Sequence, residues 1–295
     1  MFAIIGIVVV FGAVVGGYLM EKGNILVLLQ PAELVIIAGA AAGTVLIANP
    51  LHILRQIFKG MLAAFGSSPF TQARYLDSLK MLYELFDQAR RGGLASLEAE
   101  VDNPEKGKLF TAHPAVLNDH HVCAFICDTF RTMMVGGMEP FDLDQMLEGD
   151  LDVHHHDATE PVTALTTMAD SLPGLGIVAA VLGVVITMGA LGGPPEEIGH
   201  KVAAALVGTF LGILLCYGLI GPLAASMGKE AEAERAYLQV LRTAMAAFNK
   251  GIPPILAVEV GRRAIPGHLR PSFQIVESTC RNRAPQASPA PAAAA

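Results

Sequence analysis

Charge is scarce in this sequence: Asp, Glu, Lys and Arg supply 16% of its 295 residues, against roughly a quarter in an ordinary soluble domain. Cysteine is scarce too. The four present (Cys123, Cys127, Cys216 and Cys280) are scattered apart from one close pair. That excludes a secreted disulfide framework and suits reduced thiols in a cytoplasmic or membrane setting. No run alternates polar and apolar residues as a half-buried strand would. Phosphate loops, dinucleotide fingerprints and nucleophile elbows are missing, so the common nucleotide-binding and hydrolase motifs have no support. A net charge of −7 makes nucleic acid a poor partner. The first twenty residues lack the basic start and small-residue cleavage site of a signal peptide, which predicts a retained span.

Apolar residues are what the chain has in excess. They make up 53% of it, with a mean hydropathy of +0.49, and they fall in long blocks rather than evenly. A hydrocarbon core of ~30 Å needs about 20 helical residues. Residues 1–20, 34–49, 172–192 and 202–227 are the candidate spans, and none contains Asp, Glu, Lys or Arg between those boundaries. Basic residues cluster after the second span (Arg55, Lys59, Arg74, Lys80, Arg90, Arg91) and after the fourth (Lys229, Arg235, Arg242, Lys250). The short connections carry only Lys22 and the border residue Lys201. The excess of positive charge predicts that both termini and the long middle loop are cytoplasmic. The expected organisation is transmembrane helices 1 and 2 in 1–50 and a cytoplasmic helical domain in 51–171. Transmembrane helices 3 and 4 follow in 172–227, a cytoplasmic helical extension in 228–283, and a disordered Ala/Pro tail in 284–295. Small residues dot the spans, with Gly12, Gly16 and Gly17 in the first and an unbroken Gly/Ala run from Ala38 to Gly43 in the second. Such faces let helices approach closely and predict packing within a bundle or homo-oligomer.

The rest of the chain reads as helical, so the fold class is all-α: a polytopic membrane protein with a helical cytoplasmic domain. Tyr75, Leu79, Leu82, Phe86 and Ala89 recur at helical spacing, with Asp77, Lys80, Glu84, Asp87 and Arg91 on the other side, until Gly92-Gly93 ends the pattern. A short helix is expected over 94–101, stopping before Asn103-Pro104, and another through Val122, Phe125, Ile126, Met133 and Met134 up to Gly136-Gly137. Beyond the fourth span, Leu238, Leu241, Met245 and Phe248 continue the period until Pro253-Pro254. His120-His121-x-Cys123-x3-Cys127 has metal-ligand residue types. Cys123 and Cys127 nevertheless share a helix face with Phe130, which favours core packing over zinc. His154-His155-His156 lies in an acidic stretch and reads as a solvated, pH-responsive linker rather than a metal site. No metal and no cofactor is expected.

Within the predicted spans only neutral polar side chains remain, namely Thr44, Thr187, Thr209, Cys216 and Tyr217. Moving protons normally requires an ionisable group at membrane depth, so an ion-driven device built on this chain would borrow a carboxylate from a partner. A plainer reading is a membrane anchor whose hydroxyls bond their own backbone. Pro173 opens the third span and Pro222 lies near the end of the fourth. Pro222 deprives the Gly218 carbonyl of its helical partner, whereas Pro173 could be a favourable first-turn proline. Two prolines at one depth beside glycines suggest a hinge.

The run D-S-L-P-G-L-G-I-V-A-A from Asp170, and V-G-T-F-L-G-I-L-L-C-Y-G-L-I-G-P-L-A ending past Pro222, resemble the MotA family of flagellar motor proteins. R-R-G-G-L-A-S-L-E from Arg90 to Glu98, followed by D-N-P at Asp102, is similar to that family's cytoplasmic loop. The resemblance implies a non-enzymatic, ring-forming stator subunit in the cell inner membrane, with five copies around a dimer of MotB. MotB would supply the ion-carrying Asp and the peptidoglycan anchor. Pro173 and Pro222 would correspond to functionally important prolines, and Thr209 to a channel-lining hydroxyl. Arg90 and Glu98 would engage the rotor protein FliG. Asp150 stands where many members have Glu, which keeps the charge but shortens the reach. Sodium-driven relatives carry Thr at the position of Ala180, so Ala180 implies the proton-driven type.

The alternatives are a related proton-channel subunit of the ExbB/TolQ type energising outer-membrane processes, an integral-membrane metalloenzyme using the histidines, and a passive scaffold. The first has three spans where four are counted here. Metal analysis and ion flux on co-expression with an unplugged partner discriminate the other two.

Overall fold

The structure is a computed structural model that describes residues 2–189, 192 and 194–281. The expected disordered tail, 284–295, lies outside the described residues. In chain order the helices are α1 (Phe2–Met20), α2 (Ile25–Leu28), α3 (Pro31–Ala48), α4 (Leu51–Ala63), α5 (Gln72–Gly92), α6 (Glu98–Asp102) and α7 (Lys108–Ala112). They continue as α8 (Pro114–Leu117), α9 (His120–Val135), α10 (Pro140–Met188), α11 (Pro195–Leu215), α12 (Gly221–Asn249), α13 (Pro254–Ala264) and α14 (Phe273–Cys280). The described residues contain no strand, and the all-α expectation is met. Among the described residues, four candidate spans lie within Ala3–Met20, Ile25–Ala48, Pro140–Met188 and Pro195–Asn249, each long and apolar enough to cross a membrane.

The chain divides into two compact units, one made of residues 1–67 and 156–231, the other of 68–155 and 232–295. Helices α10 and α12 contribute to both.

The first unit holds the apolar helices. Its two small cores are Ile37, Ala41, Ala169, Leu172, Ala179 and Cys216, and Ile53, Ile57, Ala164, Leu165, Ala224 and Met227. Ile53 and Ile57 come from α4, an amphipathic helix the sequence reading did not anticipate. The second unit has one larger core. There α5 buries Tyr75, Leu79, Leu82, Phe86 and Ala89, the face that periodicity picks out. Thr71 caps that helix by accepting from the Arg74 amide, and Arg90 and Arg91 occupy its last turn, where cations suit the helix dipole. Gly93, at φ 78°, ends it. Asp119 caps α9 in the same way, accepting from the Val122 amide, and Gly136 and Gly137 close it with φ of 74° and 83°.

Four expectations need correction. The helix of the second span begins at Pro31, a good first-turn residue, rather than at residue 34, so Glu33 lies on it. The third span is not a separate helix opened by Pro173 but part of a 49-residue helix containing both Pro161 and Pro173, which removes the first-turn explanation for Pro173. The segment expected as a short helix over 94–101 is a 3-10 turn, Leu94–Leu97, followed by α6. The histidine-bearing acidic stretch is not a linker, since residues 154–156 are helical within α10. Several of its polar groups face α12: Arg242 donates to Asp144 at 2.9 Å and Glu148 at 3.4 Å, Arg235 pairs with Asp152 at 2.8 Å, and His154 faces Glu234 at 3.6 Å. A charge run that looks solvated in one dimension is here half of an inter-helix ladder.

Candidate functional site

The third and fourth apolar helices touch through backbone. A methyl group added to Gly212 of α11 would lie 2.5 Å from the Leu172 carbonyl oxygen, and one on Gly176 of α10 2.9 Å from the Gly208 carbonyl oxygen. Farther along, Gly183 meets Ala205 at 2.8 Å by the same measure. Real side chains do not fit at such separations, so glycine is a packing requirement at these crossings.

The positions expected to form an ion pathway lie along this seam. Pro173 follows Leu172, whose carbonyl abuts Gly212. As an interior proline it leaves the Ala169 carbonyl without a helical donor. Thr209 is half-buried, with its backbone against Gly176, and the Ala180 amide nitrogen lies beside Gly208. Pro222 is exposed and follows a π-helical turn, Cys216–Ile220, in which the Gly221 amide donates to the Cys216 carbonyl five residues back. The widened turn is the local irregularity that an interior proline invites. Leu172 and Cys216 belong to one cluster, with Ile220 packed against it, so the surroundings of the two prolines are joined. Thr44 and Thr187 play no comparable part, because each hydroxyl donates to a carbonyl of its own helix at 2.8 Å (Ala41 and Gly183).

Sequence reasoning missed the residue that stands out most in this bundle. Glu33 is only 7% exposed and packs against the α10–α11 seam. A methyl group on Gly208 would lie 2.8 Å from its Oε2, and one on Gly183 3.4 Å from its Oε1. Oε2 is buried with no hydrogen-bond partner among the described residues. The expectation of wholly uncharged spans therefore fails at this position. The signal available in the sequence was Pro31, whose preference for a first helical turn puts Glu33 on the helix.

The expected rotor-facing residues sit on the second unit. Arg90, in the last turn of α5, and Glu98, at the start of α6, are both exposed. They flank a short connection that is pinned where Gln88 donates to the Ser96 carbonyl at 2.8 Å. Arg91 is tied to Asp87 at 2.6 Å, whereas Arg90 enters no ion pair among the described residues. Asp150 is exposed on α10. No contact among the described residues joins it to Arg90 or Glu98.

The other titratable clusters of this unit do structural work. Cys123 and Cys127 belong to the core, and burial pushes the Cys127 thiol up to about 12. Arg74 lies over the rings of Phe70 and Tyr237, 5.0 and 4.8 Å from their centroids, and bonds Asp119 at 2.5 Å. Hydrogen bonding from Arg262, with help from Arg263, holds the Glu259 carboxyl down at about 2.

The family model described as motility protein A N-terminal matches residues 4–93, and that of the MotA/TolQ/ExbB proton channel family matches 118–246. The chain is 38% identical to motility protein A of Escherichia coli (strain K12), over 95% of each chain. The C. jejuni MotAB structure superposes with a TM-score of 0.73 at 19% identity, covering 90% of this chain and 95% of that one. The flagellar MotAB stator complex from Bacillus subtilis gives 0.69 at 23%, covering 87% and 92%. At those identities the two structures establish a shared fold. With the family models and the E. coli relative added, the chain belongs to the motility protein A members of the MotA/TolQ/ExbB proton channel family.

Proposed function

We propose that this chain is the ring-forming subunit of a proton-driven flagellar stator, which with MotB conducts protons and applies torque to the rotor protein FliG. The observation that carries the reading is the α10–α11 seam, where Pro173, Ala180 and Thr209 lie on glycine-to-backbone contacts and a π turn precedes Pro222. A seam of that kind has little side-chain interlocking to resist small displacements, and its prolines leave carbonyls that water or a neighbour can satisfy. The partnership with MotB rests on the MotAB complexes that share the fold. In that arrangement the chain sits in the cell inner membrane with both termini in the cytoplasm. Five copies surround a MotB dimer, whose membrane Asp carries the ion and whose other end holds peptidoglycan.

One proton crossing 100 mV releases about 2.3 kcal/mol, enough to bias two arrangements that differ by a few kcal/mol. Neutralising the partner's carboxylate relaxes its contacts with α10 and α11, and the ring steps around the dimer. Arg90 and Glu98 then pass force to FliG by charge pairing, with Asp150 in a secondary role. Ala180, which offers no side-chain oxygen to replace a sodium hydration shell, supports protons as the driving ion. Cells driven by this stator should swim without sodium and stop when a protonophore is added. Swimming that survives the protonophore when sodium is present would overturn the assignment of the ion.

A further inference from the structure

We infer that Glu33 is a proton-binding group of this chain, standing beside the α10–α11 seam and relaying protons to the ion-carrying carboxylate of the partner. The relay rests on the proton-channel reading above; the proton-binding site itself does not.

The argument starts from what surrounds the carboxyl group. Glu33 is the third residue of α3, in the candidate span Ile25–Ala48. Gly183 of α10 and Gly208 of α11 face its carboxyl oxygens, and neither titrates; the lysine of α11 that precedes Gly208, Lys201, is engaged by Glu197 at 2.8 Å. Helix α2 packs on α11 nearby and consists of Ile25, Leu26, Val27 and Leu28. No ion pair within 4 Å reaches Glu33 among the described residues, and Oε2 lacks even a hydrogen bond. An ionised carboxylate in such a place would be stripped of water with no counter-charge, which is among the costliest arrangements a protein can hold. The neutral acid is the form that fits the closed bundle.

A purely structural role accounts for less. A Glu in the first turn of a helix stabilises the helix dipole, but it does so as an anion in contact with water. Burial against glycine backbone denies it that charge. Nor does packing call for an acid, since an apolar side chain would fill the cradle without an unpartnered oxygen. The glycine facing Oε2, Gly208, is next to Thr209 and abuts Ala179 and the Ala180 amide. The carboxyl therefore sits at the level of the two positions assigned to the ion pathway. When water or the partner's carboxylate reaches it, the acid can release its proton. The proton passes to the partner's carboxylate, which becomes neutral. Glu33 is left as the anion and is reprotonated by hydronium from the aqueous side that supplies the current.

The test begins with the full chain reconstituted alone in liposomes and examined by infrared spectroscopy. A protonated carboxylic-acid carbonyl band, sensitive to deuterium, should be present and should vanish in Glu33→Gln. Gly208→Ala, which intrudes on Oε2, should shift that band. Proton flux is then measured through the complex of this chain with an unplugged partner. Glu33→Gln should lower it about tenfold, equivalent to a barrier change of about 1.4 kcal/mol, and alter its pH profile, while Glu33→Asp restores part of the rate. Membrane yield and co-purification of the partner show whether each variant assembles. Absence of the band in the unmodified chain overturns the site. A band that disappears in Glu33→Gln with flux and pH profile unchanged overturns the relay. If the unmodified complex carries no protons, the channel reading and the relay both fail, and the infrared result still decides whether Glu33 binds a proton.

Discussion

The two units of this chain reach compactness by opposite means. In the apolar unit, helices meet at glycine, and backbone lies against backbone at Gly176, Gly183, Gly208 and Gly212. In the other unit they meet through large side chains. Phe86 stacks on Phe248 with centroids 4.4 Å apart, and Ser78 and Tyr237 share a 2.5 Å hydrogen bond. Ion pairs bind this unit as well, notably those of Arg242 to Asp144 and Glu148. The difference follows from solvent. In lipid, burying apolar side chains gains little, so close approach of small residues supplies the attraction. Where water is the alternative, each buried ring contributes hydrophobic free energy. A substitution that adds bulk should therefore injure the first unit most, and one that removes bulk the second.

The largest effect expected is that of Gly212→Leu. A side chain there meets the Leu172 carbonyl oxygen at 2.5 Å, so the α10–α11 seam must open. Swimming should be abolished and the yield of assembled membrane protein should drop. Normal motility in this variant would undercut the claim that the seam is held by backbone contact. Next comes Phe86→Ala. Phe86 is fully buried, and its truncation should cost about 3–5 kcal/mol, seen as earlier loss of helical signal on heating in detergent.

Arg242→Ala should cost about 1 kcal/mol, because it removes the cation shared by Asp144 and Glu148, both of which keep contact with solvent. Lys250, 3.4 Å from Asp144, offsets part of that loss. Thermal melting of the double variant with Asp144→Asn should show non-additivity.

A smaller effect depends on pH. The Glu259 carboxyl is held at about 2, below its ordinary 4.5. A depressed acid stabilises the fold above its unfolded value, and that contribution drains away as pH falls from about 4.5 towards 2. Glu259→Gln should flatten the acid limb of the stability profile in that window and lower stability near neutrality. An unchanged acid limb would show that Arg262 and Arg263 do not hold this group in solution. Smallest of all on stability is Arg90→Glu, since Arg90 is exposed. The melting temperature should not move, while torque falls and charge reversal on FliG restores part of it.

Much of this was legible from residue order. The buried face of α5 follows from the spacing of Tyr75 to Ala89, and the ends of α5 and α9 from Gly92-Gly93 and Gly136-Gly137. Pro173, Ala180 and Thr209, which only the family resemblance singles out together, lie along one seam. The histidine stretch is not legible as helix, because the partners of Asp152, His154 and His155 are Arg235, Glu234 and Glu232, about eighty positions later. Glu33 was passed over because a boundary drawn on hydropathy stops at the first charge, while a helix boundary is drawn by Pro31.

Hydropathy, period and breakers are local properties. By themselves they determined that the fold class is all-α, that four stretches can cross a bilayer, and where most helices end. Which carboxylate lies bare against glycine, which cations face which acids, and which glycines admit no methyl group are properties of pairs that meet only on folding. Tertiary structure decided those, because the cost of burying a charge or a Cβ depends on what stands opposite it.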